Sequence, residues 1–235
     1  MRFSTGYHAF VVLALLAGGV DRVSSVLYGD EQYGDIEGGR FWAFTSAGIA
    51  IVNPESCSVE KTITKGPDGS FLPSQWYDGI YMEKQTSLKA SNDRRSLSHP
   101  EKEAGLVMIN SGITVEDGHE NPGGGTGEVY TISADPKDYD NAVKSVVKVG
   151  GRPVHSYGVY TRNEFWTHSD LTGEFFVISL DDLDGHSGDP VAAKVAEAHH
   201  GKLLWDENSH LERHGFATST GERFLFVIDM EEKKQ

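Results

Sequence analysis

The sequence contains little cysteine, little basic charge and no long apolar run. Cys57 is the single cysteine, so an internal disulfide is excluded. The 21 basic and 35 acidic side chains leave a formal net charge of −14, which repels phosphate backbones, so we expect no nucleic-acid partner. The apolar run at residues 10–20 is shorter than the roughly 20 residues that a membrane helix needs, so we expect no stable membrane span.

Motifs of several enzyme classes are also absent. The sequence has no Gly-x-Ser-x-Gly nucleophile elbow, no Walker phosphate loop and no Cys-x-x-Cys-His haem site. It has no Asn-x-Ser/Thr sequon, so we expect no N-glycosylation. No motif in the sequence therefore identifies a reaction, and we assign no catalytic residue from it.

The N-terminal residues have the pattern of a secretory signal. Arg2 precedes the apolar run at residues 10–20, and Val23 and Ser25 offer a small-residue cleavage site. A short apolar core with these flanks is typical of a signal peptide rather than of a membrane helix. We therefore predict a signal peptide over residues 1–25, a mature domain over residues 26–235 and a secreted, extracellular protein.

The mature sequence contains a repeated pair of predicted strands. Each pair ends in an apolar residue followed by Asn, Ser or Asp, and these apolar residues are Val52, Ile132, Ile178 and Ile228. The last two intervals, of about 46 and 50 residues, match the ~40–50-residue blade of a β-propeller. A polar insert over about residues 83–103 lengthens the first interval.

Further predicted strands flank each pair. A run in which apolar residues alternate with polar or charged ones follows a pair, as in residues 142–149, and we expect its charged side chains to face outward. A more apolar run precedes the next pair, as in residues 153–160. Four strands per repeat predict an all-β fold, a β-propeller of four-stranded blades with about four blades present. Because the last repeat has only three predicted strands, we expect an incomplete or open propeller. Closure by another chain and a compact four-blade ring are the alternatives.

Residues 150–230 also carry a family resemblance. The segment Gly151-Arg-Pro-Val-His-Ser-Tyr-Gly-Val-Tyr160, followed by Phe165-Trp-Thr-His168 and Phe176-Val-Ile-Ser179, resembles the YVTN-type propeller repeat. The same repeat resembles the propellers of surface-layer proteins and the N-terminal part of nitrous-oxide-reductase-like proteins. The resemblance implies a propeller fold. It also implies a copper site built from blade histidines, although this chain shares only scattered histidines with that pattern and has His168 at the Asn position of the repeat.

Several histidines lie between residues 155 and 214, near the ends of predicted strands. Neutral imidazole is the commonest ligand for zinc and copper, and a radial fold brings ligands together from different blades. The predicted copper or zinc ligands are His155, His168, His200 and His214. The alternative is that these histidines hydrogen-bond to strand ends and that no metal binds, because no tight spacing such as His-Glu-x-x-His is present.

A second predicted site uses aromatic and carboxylate side chains. In a propeller the first strand of each blade lines the central channel, which places Tyr157 and Trp205 near its mouth. Asp206 and Glu207 follow Trp205 and add two carboxylates. We interpret Tyr157, Trp205, Asp206 and Glu207 as ligand-binding residues. The alternative is that residues 205–208 only connect a strand to a loop and bind no ligand.

Three classes of function remain open from the sequence. The first is a secreted binding or scaffold module with a protein or glycan partner at the channel mouth. The second is a metal-dependent oxidoreductase or hydrolase with an axial histidine site. The third is a structural surface-layer or wall protein. Self-association through an open blade face is a further expectation, because an unclosed propeller leaves an apolar face bare.

Overall fold

Four antiparallel sheets follow one another along the chain in the computed structural model. The structure describes residues 24–28 (backbone alone), 40–73, 76–82, 105–111, 127–169, 172–184, 192–197, 203–204, 213–218 and 225–234. Each sheet pairs strands that are neighbours in sequence, and the chain then passes to the next sheet. The fold is therefore all-β and propeller-like, with open ends at its first and last sheets.

The strands occur in chain order within every sheet. The first sheet contains β1 (Ser24–Tyr28), β2 (Arg40–Thr45), β3 (Gly48–Asn53) and β4 (Ser58–Ile63). The second sheet contains β5 (Trp76–Met82), β6 (Leu106–Ser111), β7 (Glu128–Ser133) and β8 (Val143–Lys148). The third sheet contains β9 (Pro153–Val159), β10 (Glu164–Ser169), β11 (Glu174–Ser179) and β12 (Ala193–Glu197). The fourth sheet contains β13 (Leu203–Leu204), β14 (His214–Thr218) and β15 (Leu225–Asp229).

The predicted pairs of strands form antiparallel pairs in all four sheets. The repeated apolar residue is the last but one of the third strand in every sheet, and these residues are Val52, Ile132, Ile178 and Ile228. Sequence analysis missed β1, a short strand that begins at Ser24 within the predicted signal peptide. The insert predicted at about residues 83–103 lies outside the described residues.

A side chain at the end of the third strand caps the turn in three of the four sheets. Asn53 Oδ1 accepts the N–H groups two and three residues further on, at 2.9 and 3.1 Å. Asp229 Oδ1 does the same at 3.1 and 3.0 Å, and Ser133 Oγ accepts the N–H group two residues further on at 3.2 Å. Short polar side chains stabilise turns in this way, which explains why Asn, Ser or Asp follows the repeated apolar residue.

Consecutive sheets pack through apolar cores. The core between the first and second sheets includes Trp42, Phe44, Ile51, Trp76, Ile109 and Ile132. The core between the second and third sheets includes Met82, Met108, Val129, Phe165 and Ile178. The core between the third and fourth sheets includes Trp166, Phe175, Leu203, Ala217 and Ile228. Burial of these side chains is the main force that holds one sheet against the next.

The first strands of consecutive sheets lie on the inside of the arrangement. Strand β1 contacts β5, and β5 contacts β9. At Gly158 in β9 the approach is so close that a Cβ atom would lie 2.8 Å from Met82 Sδ. These inner strands place the polar residues described below.

The fourth sheet buries only one of its two faces among the described residues. Ala217 and Ile228 pack against the third sheet. On the opposite face, Leu204 pairs with Phe216 and Phe216 pairs with Val227, and all three side chains are exposed. In the part of the chain that the structure describes, no helix has the length and apolarity to cross a membrane.

Candidate functional site

Two inner strands carry an extra residue where their polar side chains meet. In β5, Tyr77 and Asp78 both lie opposite Asn110 of β6. In β9, the extra residue Val154 precedes His155. Such β-bulges redirect side chains and are frequent next to functional sites. The bulges bring Asp78 of the second sheet close to His155 of the third.

A hydrogen-bond network fixes the position of Asp78. The Asp78 carboxylate accepts the N–H of Ser156 at 2.7 Å, and the Ser156 hydroxyl donates to the main-chain oxygen of Asp78 at 3.0 Å. Asn110 Nδ2 donates to Ser156 Oγ at 3.0 Å, and Asn110 Oδ1 accepts from Thr167 Oγ1 at 3.1 Å. Asn110 and Thr167 are fully buried. Because buried polar groups are costly unless they are paired, this network holds the second and third sheets in one register.

The Asp78 carboxylate is half-buried and electrostatically perturbed. Burial raises its pKa, and the amide of Ser156 and the nearby imidazole of His155 oppose that rise. Burial also raises the pKa of Tyr157, and the negative charge of Asp78 raises it further. The three side chains therefore influence one another, and we call Asp78, His155 and Tyr157 the inner-strand cluster.

Tyr157 connects this cluster to the fourth sheet. Its hydroxyl accepts the N–H of Leu203 at 3.1 Å, which lowers the pKa of Tyr157 in opposition to burial. The ring of Tyr157 lies 6.3 Å from that of His155, centroid to centroid. Groups of the second, third and fourth sheets thus meet at the cluster, and its side chains are neither fully buried nor fully exposed.

The structure brings two of the predicted metal ligands together. His155 and His168 pair across β9 and β10, with ring centroids 6.2 Å apart and planes at 11°. His168 is fully buried, and its ring lies 4.5 Å from that of Phe175. His214 is exposed at the start of β14, and His200 lies outside the described residues. Among the residues described, no group of three or more His, Cys, Asp or Glu side chains has a metal-binding arrangement, so the metal site stays a prediction.

Of the predicted ligand-binding residues, Tyr157 belongs to the inner-strand cluster. Trp205, Asp206 and Glu207 lie outside the described residues, and their role stays a prediction. Sequence analysis missed Asp78. The signal was an Asp-Gly pair inside a run of aromatic and aliphatic residues, which marks a bulge or a close backbone approach.

Similarity to solved structures is remote. No family model matches the chain, and no curated protein sequence matches it. A candidate phosphatase from Bacteroides thetaiotaomicron VPI-5482 is similar over 88% of this chain and 42% of that one, with 11% identity and a TM-score of 0.48. Hydrazine synthase of Kuenenia stuttgartiensis is similar over 88% of this chain and 58% of that one, with 11% identity and a TM-score of 0.45. The chain thus spans less than two thirds of either structure, and similarity at this level carries no information on activity.

Proposed function

We propose that this chain is a secreted propeller of the YVTN type that acts as a binding or scaffold module and holds its ligand at the inner-strand cluster. The observation that supports this function is the convergence of Asp78, His155 and Tyr157 from the first strands of two adjacent sheets, where Asp78 accepts the N–H of Ser156, which lies between His155 and Tyr157 in β9. Binding sites are concave and combine apolar walls with a few fixed polar groups. The network through Ser156 fixes one such group, the Asp78 carboxylate, before any ligand arrives.

Ligand-observed NMR on the purified mature chain tests this function. The probes are neutral oligosaccharides, short peptides and small alkylamines, and each hit is measured again with Tyr157→Phe and His155→Gln. We expect at least one probe to bind the wild type and to bind both variants about two- to tenfold more weakly, because one neutral hydrogen bond contributes about 0.5–1.5 kcal/mol. Asp68→Asn, in an exposed turn with Ser70, is the control and should bind like the wild type. Equal binding by all the variants would exclude this cluster as the site.

A metal-dependent oxidoreductase or hydrolase is the second candidate function. The observation that favours it is the cross-strand pair of His155 and His168, whose ring planes are nearly parallel. Elemental analysis of the purified protein, with a His155→Ala/His200→Ala double variant, tests it. Stoichiometric copper or zinc that is lost in the double variant would support this candidate, and metal-free folded protein would count against it.

Self-association through the open blade face is a further part of the proposal. It is supported by the exposed row of Leu204, Phe216 and Val227, which are direct neighbours across the three strands of the fourth sheet. Exposed apolar rows of this kind mark interaction surfaces. The net charge of −14 opposes the association of two copies, so we expect it to strengthen as salt screens that charge.

A further inference from the structure

The Asp78 carboxylate is half-buried without a fixed cationic partner among the residues that the structure describes. It accepts the Ser156 N–H at 2.7 Å, and no described lysine or arginine forms an ion pair with it. Burial raises the pKa of Asp78, and its interaction with the His155 imidazole opposes that rise. A carboxylate removed from water loses hydration free energy, and a cation placed beside it restores part of that loss.

The surroundings of Asp78 favour an organic cation over a metal ion. Zinc and copper need three or four protein ligands, and the described residues contain no such group. Tyr157 adds an aromatic ring to the cluster, and its centroid lies 6.3 Å from that of His155. The face of a tyrosine ring attracts ammonium and guanidinium groups, and the Asp78 carboxylate adds an opposite charge beside it. The net charge of −14 also raises the local concentration of cations.

We propose that the inner-strand cluster binds a primary ammonium group, with Asp78 as its counter-ion. The inference rests on the proposed function, because it names the ligand chemistry of the same site. The ammonium group comes either from a small alkylamine or from a lysine side chain of a partner protein. Both sources share the contact with Asp78, and two arms of the experiment separate them.

Isothermal titration with n-butylammonium chloride on the full chain tests the inference. We expect saturable binding by the wild type and at least about tenfold weaker binding by Asp78→Asn, because the neutral amide removes the negative charge and the charge-assisted hydrogen bond to the ammonium group. Asn retains an oxygen that accepts the Ser156 N–H, so this variant is expected to fold, and urea unfolding checks that it does. Asp68→Asn is the matched control, since Asp68 lies in an exposed turn with Ser70, and it should bind like the wild type.

Two further probes define the chemistry and its source. n-Butanol has the same alkyl chain without the charge and should not bind. A short lysine-containing peptide is compared with the same peptide acetylated on its lysine. Tighter binding of the unmodified peptide than of n-butylammonium assigns the site to a protein partner, and the reverse order assigns it to small amines.

Two outcomes would overturn the inference. One is the absence of saturable n-butylammonium binding by the folded wild type, and the other is equal affinity in wild type and Asp78→Asn. If an oligosaccharide binds in a Tyr157-dependent manner while n-butylammonium does not, the ammonium inference fails and the proposed binding function survives. If no probe shows binding that depends on Tyr157 or His155, the ammonium inference and the proposed binding function both fail.

Discussion

The ammonium group of Lys233 lies 3.0 Å from Oε1 of Glu164, whose side chain is only 7% exposed. The other oxygen of Glu164 accepts a hydrogen bond from Trp166 Nε1 at 3.0 Å. Lys233 follows the last strand of the fourth sheet, whereas Glu164 and Trp166 belong to β10 of the third. This ion pair therefore ties the turn after β15 to the neighbouring sheet, in addition to the apolar core between the two sheets.

Lys233→Met is expected to lower the free energy of unfolding by about 1–2 kcal/mol, because it leaves the Glu164 carboxylate buried without a cation. The effect is at the low end for a buried pair, since the Lys233 side chain is itself 37% exposed. Urea unfolding followed by tryptophan fluorescence measures it. Lys234→Met is the control, because Lys234 pairs with Glu232 at the surface. A similar loss in both variants would show that the contact with Glu164 contributes nothing specific.

Gly158→Ala is expected to destabilise the contact between the inner strands β5 and β9 by about 1–3 kcal/mol. The added Cβ would lie 2.8 Å from Met82 Sδ and 2.9 Å from Tyr160 Cζ, so a side chain or a strand must shift. Thermal unfolding by calorimetry measures the change. At Gly66 a Cβ would meet its nearest atom at 3.4 Å, so Gly66→Ala should stay within about 0.5 kcal/mol of the wild type. Unchanged stability of Gly158→Ala would mean that the two strands are not held at this distance.

Asp78 should make stability depend on pH in the direction opposite to that of a salt-bridged carboxylate. Burial raises the pKa of Asp78 in the folded state. The contribution of the protonated side chain to the free energy of unfolding is therefore fully present below the unfolded pKa of about 3.9. That contribution is lost as the pH rises through the folded pKa. Asp78→Asn cannot lose a proton, so it should gain stability relative to the wild type between pH 4 and pH 7, roughly the range above the unfolded pKa. Urea unfolding at several pH values checks this, and a difference that stays constant over the whole range would contradict it.

Phe216→Ser is expected to weaken self-association at least about tenfold, because it removes the central side chain of the exposed row on the fourth sheet. Sedimentation velocity over a range of protein concentrations and salt concentrations measures the effect. Phe71→Ser is the matched control, since Phe71 is also exposed but lies beside Lys65 in the loop after β4. Association that falls equally in both variants would point to non-specific contacts rather than to the open face of the fourth sheet.

Much of the fold followed from the sequence, because its signals are local. Ile132 lies between the polar residues Thr131 and Ser133, and the residue after the repeated one caps a turn within two or three positions at Asn53, Ser133 and Asp229. Alternation and turn chemistry act between near neighbours, so one sequence suffices to detect them. Strand β1 was missed because it begins at Ser24, within the predicted signal peptide.

The candidate site followed from the sequence only in part. The sequence predicted Tyr157 as a ligand-binding residue and His155 as a metal ligand, and the structure places both in the cluster, whereas their roles stay predictions. Asp78 was missed, because its role depends on contacts with residues 78 positions away. The sequence predicted His155 and His168 as ligands on separate strands, and the structure pairs them across β9 and β10 of one sheet; their role as metal ligands stays a prediction.

The sequence by itself determined the all-β character, the pairs of strands and the turns capped by Asn53, Ser133 and Asp229, since each of these depends on residues a few positions apart. Only the tertiary structure decided which polar side chains meet. A bulge of one residue in β5 and another in β9 bring Asp78 to Ser156, and the packing of neighbouring sheets sets the distance between them. Such contacts join residues that are remote in sequence, and their free energy depends on burial, which exists only after the sheets have packed.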